Sequence, residues 1–230
     1  MFGTSYMDNS VSYRSAAEIN SAMGRVYGHM ALAVLTSMIV SYLVGTSQAL
    51  LAFFFTGFLK WIVIFAPLVA IFAITFLMEK VSKVGATLML HGFAALMGLS
   101  FATIFAVYNM GSIVSAFMGG AILFGTMSGY GYFTKKDLSS WGSFLIIGLI
   151  AIIIASIINI FVGSTVMQMV ISAIAIIIFL GLTAYDTQRI REEVSVDNNG
   201  VAEIRGALTL YLDFINLFLN LLQLFGGKKE

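Results

Sequence analysis

The segment Ala207-Leu-Thr-Leu-Tyr-Leu-Asp-Phe-Ile-Asn-Leu-Phe-Leu-Asn-Leu-Leu-Gln-Leu-Phe225 is long enough to cross a bilayer, yet it carries a carboxylate, Asp213, in its interior. At about 100° per residue, its polar side chains fall within a sector roughly 80° wide, and apolar side chains fill the rest of the circumference. The polar set is Thr209, Asp213, Asn216, Asn220 and Gln223. Because an aspartate at the centre of a bilayer costs about 2.5–3.5 kcal/mol, this stripe should face other helices or a water-filled cavity. The segment is therefore predicted to be a central helix, wrapped by the others.

The composition places the whole chain in a membrane. Of its 230 residues, 60% are hydrophobic and 10% are charged, and the mean hydropathy is +0.98, a balance that soluble domains of this size do not show. The chain contains no cysteine, which excludes disulfides and thiolate chemistry. Its net charge of +1 gives no case for nucleic-acid binding. No enzymatic activity and no organic cofactor are implied.

The apolar runs predict seven transmembrane helices, since a span needs about 20 apolar residues. They are placed near residues 27–46, 57–78, 84–108, 112–133, 142–163, 166–186 and 207–226. A polar tail, residues 1–25, precedes them. Residues 26–230 are predicted to form a single all-α domain, a polytopic membrane protein with seven transmembrane helices in which the last helix is central and surrounded by the other six.

The basic residues predict how the chain is oriented. Nine of them fall in the tail and in the second, fourth and sixth loops, on one side of the predicted membrane: Arg14, Arg25, Lys80, Lys83, Lys135, Lys136, Arg189, Arg191 and Arg205. Lys60, Lys228 and Lys229 fall on the other side. The positive-inside rule then predicts a cytoplasmic N-terminus and a C-terminus outside.

A second carboxylate, Asp186, closes the apolar run of the predicted sixth helix, in Gly181-Leu-Thr-Ala-Tyr-Asp-Thr-Gln188. On the predicted topology, Asp213 lies about six residues, roughly 9 Å, into helix seven from the same cytoplasmic end. Two close carboxylates in a low-dielectric setting cannot both ionise cheaply, so the pair is expected to hold a proton and titrate as a unit. Such a pair is a proton sensor, a cation site or both. The alternative is that Asp186 caps a helix end in headgroup water and that Asp213 makes a packing hydrogen bond.

The two segments that carry these aspartates resemble the signature segments of the Bax inhibitor-1 family, also called the transmembrane Bax inhibitor motif family, and are similar to its bacterial inner-membrane branch. Weaker resemblance runs through Arg25-Val-Tyr-Gly-His-Met30 and Gly129-Tyr-Gly-Tyr-Phe-Thr-Lys-Lys-Asp-Leu138. The resemblance implies a seven-helix fold around the last helix, a location in the bacterial inner membrane, and a pH-sensitive calcium leak governed by Asp186 and Asp213. Other bacterial relatives resemble modulators of a membrane-bound, ATP-dependent protease. A non-conducting modulator of such a protease is therefore the alternative function.

Several other polar residues are candidate accessories to the aspartate pair. Asn216 and Asn220 offer carbonyl oxygens along the stripe. His91 is predicted to be either a packing histidine with one hydrogen bond or a proton partner of the pair. Where some relatives place an arginine at the cytoplasmic end of the second helix, this chain has Met78-Glu79-Lys80. Lys80 would supply a point charge rather than a bidentate fork, and Glu79 would add negative charge near the pair.

Three classes of function can be weighed on these residues. Carboxylate oxygens suit Ca²⁺, and the two aspartates would bind it weakly and transiently, which suits a permeant ion that must also leave. A protease modulator would not need ion flux. An intramembrane aspartyl protease is disfavoured, because presenilin-like enzymes carry Gly-x-Gly-Asp at the second aspartate and this chain has Leu210-Tyr-Leu-Asp213. The lipid bilayer, Ca²⁺ and protons are the predicted partners.

Loop six, residues 187–206, is rich in charge. It is predicted to form a cytoplasmic helical extension that ends in a turn at residues 197–200. Its charged residues are usually solvated in such a loop. They are also candidates for ion pairs that lock helices six and seven together, so that protonation of the aspartate pair would move a gate.

Overall fold

The computed structural model of the chain describes residues 14–197 and 199–229. Within these ranges the chain forms α-helices joined by short turns and no β-strand; Tyr108 and Lys228 make an isolated antiparallel bridge. Seven helices in the described ranges are long and apolar enough to cross a membrane. The predicted all-α class with seven transmembrane helices is confirmed.

The seven helices are called spans 1 to 7 in chain order. They are Ala16–Gly45, Leu59–Lys80, Lys83–Val107, Met110–Phe133, Ser139–Val162, Thr165–Val196 and Val201–Phe225. Span 2 ends in a 3₁₀ turn, Met78–Lys80, and span 3 is interrupted by another, Phe101–Thr103. A short helix, Gln48–Phe55, precedes span 2. The end of the bundle where spans 1, 3, 5 and 7 begin is called the basic end.

Span 1 begins at Ala16 rather than near residue 27. Ser15 and Glu18 form a capping box, in which the Ser15 hydroxyl accepts a hydrogen bond from the Glu18 backbone (3.3 Å) and the Glu18 carboxylate accepts one from the Ser15 backbone (2.8 Å). A capping box can start a helix within polar sequence. A prediction based on runs of apolar residues does not detect such a start. The predicted tail, residues 1–25, is therefore helical from Ala16, and residues 1–13 lie outside the described residues.

Spans 6 and 7 are also longer than predicted, and together they form an antiparallel hairpin. Span 6 continues to Val196, and span 7 already begins at Val201. The helical extension predicted for loop six is confirmed, and an Arg189–Glu193 ion pair of 2.8 Å, four residues apart, supports it. Gly200 reverses the chain with a φ of 74°, which a residue with a side chain rarely adopts.

Span 7 is the centre of the bundle. Half of its most apolar window is buried inside the protein, against 11–33% for the other spans. It packs mainly against spans 1, 3, 4 and 6, while span 2 packs on span 3 and span 5 packs on span 6. The predicted central position of the last helix is confirmed, with spans 2 and 5 forming the outer layer.

Aromatic and hydroxyl side chains join span 7 to its neighbours. The fully buried Tyr211 hydroxyl lies 2.7 Å from the Ser37 hydroxyl, which donates to the Ala94 carbonyl at 2.7 Å. This chain of hydrogen bonds connects spans 7, 1 and 3. The ring of Phe214 meets Phe117 of span 4 edge to face, with centroids 5.2 Å apart. The central helix is thus fixed in rotation, which decides where its polar stripe points.

Candidate functional site

Asp213 lies deep in the bundle and is incompletely bonded. It follows the first residue of span 7, Val201, by twelve residues, or about 18 Å, which is deeper into the helix than the sequence predicted. The residue is 4% exposed, and its Oδ2 has no hydrogen-bond partner among the described residues. Leaving a buried polar atom unpaired costs about 1–3 kcal/mol. The packing hydrogen bond considered as an alternative is therefore not found for this oxygen in the described part of the chain.

Asp186 was predicted to lie at the end of helix six. It lies inside this helix instead, ten residues before Val196. The prediction was wrong because the helix continues past the apolar run into charged sequence. The side chain is 8% exposed rather than placed in headgroup water. The alternative in which Asp186 caps a helix end is thereby excluded.

The hairpin of spans 6 and 7 brings the two aspartates together. The spans cross closely where Ile190 packs on Gly206, since a Cβ on this glycine would lie 2.6 Å from Ile190 Cγ2. Seven residues after Gly206 on span 7 lies Asp213, and seven residues before Ile190 on span 6 lies Thr183. Because the two spans are antiparallel, Asp213 and Thr183 lie at the same level. Asp186 is then about 4.5 Å away along the helix axis, at 1.5 Å per residue. The two carboxylates are therefore close enough for the charge of Asp186 to act on Asp213.

The surroundings of Asp186 include charged groups of its own span and a hydrogen-bonded link to two other spans. Arg189 and Glu193 of its own span are the charged groups that act on it besides Asp213. Its neighbour Thr187 lies 2.9 Å from the hydroxyl of Ser128 on span 4, which in turn lies 2.6 Å from the hydroxyl of Tyr27 on span 1. The residue after Asp186 in span 6 is therefore joined by side-chain hydrogen bonds to span 4 and, through it, to span 1.

Asn216 and Asn220 continue the stripe beyond Asp213. Each side-chain amide donates to the backbone carbonyl four residues earlier, at 2.8 Å in both cases. This hydrogen bond uses the amide nitrogen and leaves the side-chain carbonyl oxygen as the group that can meet a cation. At the far end of the stripe, the Gln223 side-chain oxygen accepts from the hydroxyl of Ser172 on span 6 at 3.3 Å. The stripe thus runs along the side of span 7 that faces span 6.

His91 has a hydrogen-bond partner on span 1. Its Nδ1 lies 3.2 Å from the hydroxyl of Thr36 on span 1, and the ring is partly buried. Among the described residues, its hydrogen bonding is directed to span 1 and not to the aspartate pair.

Glu79 and Lys80 lie at the basic end and are exposed. The Glu79 carboxylate accepts from Arg205 Nη1 at 2.7 Å, and Arg205 Nη2 donates to Glu193 at 2.9 Å. Arg205 therefore ties the ends of spans 2 and 6 to the start of span 7, which confirms the predicted ion pair between helices six and seven. Lys80 makes no ion pair within the described ranges.

Sequence reasoning missed Glu203, which it treated as one charge in a solvated loop. The Glu203 side chain is 1% exposed. Arg25 binds it with two hydrogen bonds, Nε to Oε2 at 2.9 Å and Nη2 to Oε1 at 2.6 Å. Lys83 Nζ donates to Oε2 at 2.8 Å, and Arg14 Nη1 lies 3.4 Å from Oε1. The Glu203 cluster, defined by these four residues, fastens the starts of spans 1, 3 and 7 to one another.

A signal for the burial of Glu203 was present in the sequence. The residue is in phase with the apolar positions of span 7 that alternate at spacings of four and three: Ala207, Leu210, Phe214, Leu217 and Leu221. A helical residue in phase with such a set faces the core. The signal was masked because an acidic residue in the first turn of a helix is also favoured by the helix dipole, without any partner.

The chain is similar to known proteins over almost its full length. The family model described as "Inhibitor of apoptosis-promoting Bax1" matches residues 19–230. The inner membrane protein YbhL of Escherichia coli strain K12 is 38% identical over 221 residues, which cover 93% of this chain and 94% of that protein. An uncharacterized protein of Deinococcus radiodurans is 35% identical, covering 93% of each chain. One of Borreliella burgdorferi is 36% identical, covering 92% of this chain and 94% of its own. The resemblance seen in the two aspartate segments is thus confirmed, and the chain belongs to the Bax inhibitor-1 family of membrane proteins.

Proposed function

We propose that the protein is a pH-sensitive leak for Ca²⁺, with Asp186 and Asp213 as its proton-responsive gate. The observation that carries this proposal is the state of Asp213. It is buried on the central helix, one of its oxygens lacks a partner among the described residues, and a second carboxylate lies beside it on span 6. Ionisable residues at such a depth in a membrane protein typically serve ion or proton pathways.

The oxygen atoms of the stripe suit a hard cation. Ca²⁺ is bound by carboxylate and amide oxygens, and takes six to eight of them in tight sites. Within the described ranges no group of three or more His, Cys, Asp or Glu side chains is placed to hold a metal. Two carboxylates with the carbonyls of Asn216 and Asn220 would bind Ca²⁺ weakly. Weak binding allows an ion to enter and also to leave.

Protons act on the same two carboxylates. Each proton that the pair takes up removes one negative charge from the pathway and from the contact between spans 6 and 7. On span 6 the positive charge of Arg189 attracts the negative charge of the pair, and the negative charge of Glu193 repels it. Arg205 holds the basic end of this contact closed through Glu79 and Glu193. Protonation therefore changes the balance between attraction of a cation and closure of the hairpin.

We also propose that the chain lies in a bacterial inner membrane with its basic end in the cytoplasm. The name of the relative YbhL as an inner membrane protein and the bias of basic residues support this. Alkaline phosphatase fused to the C-terminus should be active. The same enzyme fused to the turn between spans 6 and 7 should be inactive. The reverse pattern would contradict the orientation.

The leak is tested by Ca²⁺ flux into liposomes that contain the purified protein and a trapped calcium indicator, from pH 5 to pH 8. We expect flux above that of empty liposomes, with a pH dependence that Asp186→Asn and Asp213→Asn each remove. Asp137→Asn is the matched control, because Asp137 is an exposed carboxylate that accepts a hydrogen bond from the Ser139 backbone (2.8 Å) just before span 5. This variant should keep the pH dependence.

Two results would count against the leak. Absence of flux at every pH would overturn it and leave modulation of a membrane-bound protease as the function to pursue by co-purification. Flux whose pH dependence survives both aspartate substitutions would show conduction but would remove the pair as the gate.

A further inference from the structure

A groove opens between spans 1 and 4 on the half of the bundle away from the basic end. Its volume is about 380 Å³. Tyr42 of span 1, Phe105 of span 3 and Val114 of span 4 line its walls, and Ile215 and Phe218 of span 7 form its floor. Several lining side chains are themselves exposed on the outer surface of the bundle, including Val114, which is 53% exposed. The groove therefore opens sideways into the lipid and reaches the central helix.

The groove exists because spans 1 and 4 part from each other. Near the basic end they are joined by the hydrogen bond between Tyr27 and Ser128 (2.6 Å) and by the one from Tyr132 to Asn20. Further along, no hydrogen bond connects the two spans in the part of the chain that the structure describes. Spans 1 and 4 are thus joined over span 7 near the basic end and are separated by the groove further along.

A second cavity of about 410 Å³ continues the groove to the end of the bundle. The two share Phe105, Met110 and Ile113 as lining residues. This outer cavity, which we call the mouth, is also mainly apolar, but it is more polar than the groove because Thr46, Gln48 and Lys229 line it. None of its described lining residues is acidic. Lys229 Nζ donates to the Phe105 carbonyl at 2.7 Å, which holds the ammonium group at the mouth.

We infer that the groove and the mouth form one binding site for a phospholipid, with an acyl chain in the groove and the phosphate at Lys229. At this depth the surrounding medium is hydrocarbon, so an apolar space that opens sideways is filled by an acyl chain. The combined shape, apolar throughout with polar side chains and a fixed cation at the membrane surface, matches that of a phospholipid. The ammonium of Lys229 uses one donor on Phe105 and keeps others for phosphate oxygens.

The site reaches beyond the proposed leak, because lipid binding here does not depend on ion flux. Its floor is nevertheless the central helix, and Ile215 and Phe218 flank Asn216 of the polar stripe. A bound chain would therefore occupy the space into which this part of span 7 would otherwise move.

The test is native mass spectrometry of the protein in mild detergent with phosphatidylglycerol added in steps. Val114→Trp should fill the groove and lower phospholipid binding by about tenfold. Its matched control is Ile122→Trp, because Ile122 is also a lipid-exposed residue of span 4 (65% exposed) but does not line the groove. Lys229→Gln should lower binding by about threefold to tenfold. Lys60→Gln removes a basic residue that lies beside Trp61 and away from the mouth, so it should not lower phospholipid binding.

The wild-type protein is expected to retain one phospholipid per chain, and the four variants should all elute as the wild type does in size exclusion. Equal binding by the wild type and Val114→Trp, or equal loss in Val114→Trp and Ile122→Trp, would overturn the site. Loss in Val114→Trp with full binding in Lys229→Gln would overturn the placement of the phosphate.

Discussion

Span 7 buries two carboxylates ten residues apart, Glu203 and Asp213, and their surroundings are opposite. Glu203 accepts hydrogen bonds on both oxygens from basic side chains of other parts of the chain. Asp213 has a like charge, Asp186, as its charged neighbour, and one of its oxygens has no partner among the residues described. The two residues lie on the same helix and have the same functional group, so the difference comes from what the other spans present to them.

The difference suggests a structural role for Glu203 and a functional role for Asp213 on the same helix. A carboxylate surrounded by cations keeps its charge, and removing it leaves those cations without a partner. A carboxylate beside another carboxylate changes its charge when a proton or a metal ion arrives. Substitutions at the Glu203 cluster should therefore change stability, and substitutions at the aspartate pair should change the response to pH and Ca²⁺.

The largest effect is expected for Glu203→Gln. It removes the negative charge that holds the starts of spans 1, 3 and 7 together. Because the basic partners are partly exposed and can regain water, we expect a loss of about 2 kcal/mol rather than the full cost of breaking a buried pair, or roughly 5 °C in Tm. Thermal unfolding in detergent measures it. Glu192→Gln, at an exposed position of span 6, is the control and should leave Tm unchanged.

A smaller effect, seen in flux rather than in stability, is expected for Arg205→Gln. This change removes the two ion pairs that tie span 7 to spans 2 and 6. After solvent screening the pairs together contribute about 1 kcal/mol, so the Ca²⁺ leak at neutral pH should rise roughly fivefold. Arg191→Gln is the control, since Arg191 contacts the Tyr132 ring instead. An unchanged leak would show that the basic end does not control the interior.

The contribution of a single cation to the Glu203 cluster should be smaller still. Lys83→Gln removes one hydrogen bond to Glu203, and the Lys83 side chain is 40% exposed. A loss of about 0.5 kcal/mol is expected, because Arg25 retains both of its bonds to the carboxylate. Lys80→Gln, three residues earlier and exposed, should have no effect on Tm. A loss as large as that of Glu203→Gln would mean that Lys83 alone carries the cluster.

The smallest effect on stability is expected for Asp213→Asn, which should leave Tm within about 1 °C of the wild type. The substitution keeps the shape of the side chain and removes a charge that has no cationic partner among the described residues. A fall in Tm like that of Glu203→Gln would show that Asp213 has a structural role, and would end the contrast between the two carboxylates.

Much of the fold could be predicted from local sequence. The apolar runs predicted seven spans, and the stripe of span 7 predicted its central place. The start of span 1 was placed too far along the chain, because the capping box at Ser15 begins the helix within polar sequence. The end of span 6 was predicted early, because the helix continues in ion-paired residues that an apolar count treats as loop.

The candidate site could be predicted only in part. Asp186 and Asp213 were found because a charge within an apolar run is conspicuous. Glu203 was not, since its sequence neighbours are themselves charged and its partners are remote. Glu79 was considered near the aspartate pair and instead binds Arg205, because the turn that ends span 2 directs its carboxylate to the start of span 7.

Local sequence was sufficient to predict a membrane protein with seven spans and a polar central helix. A bilayer requires each span to satisfy its own backbone hydrogen bonds, so every span is a local feature of the chain. Only the packing of the spans places basic side chains around the carboxylate of Glu203 and a second carboxylate beside Asp213. Arg25 reaches Glu203 across 178 residues of chain, and only the packing of span 1 against span 7 brings them together. The same packing left Asp213 facing a second aspartate, and left a groove where spans 1 and 4 part.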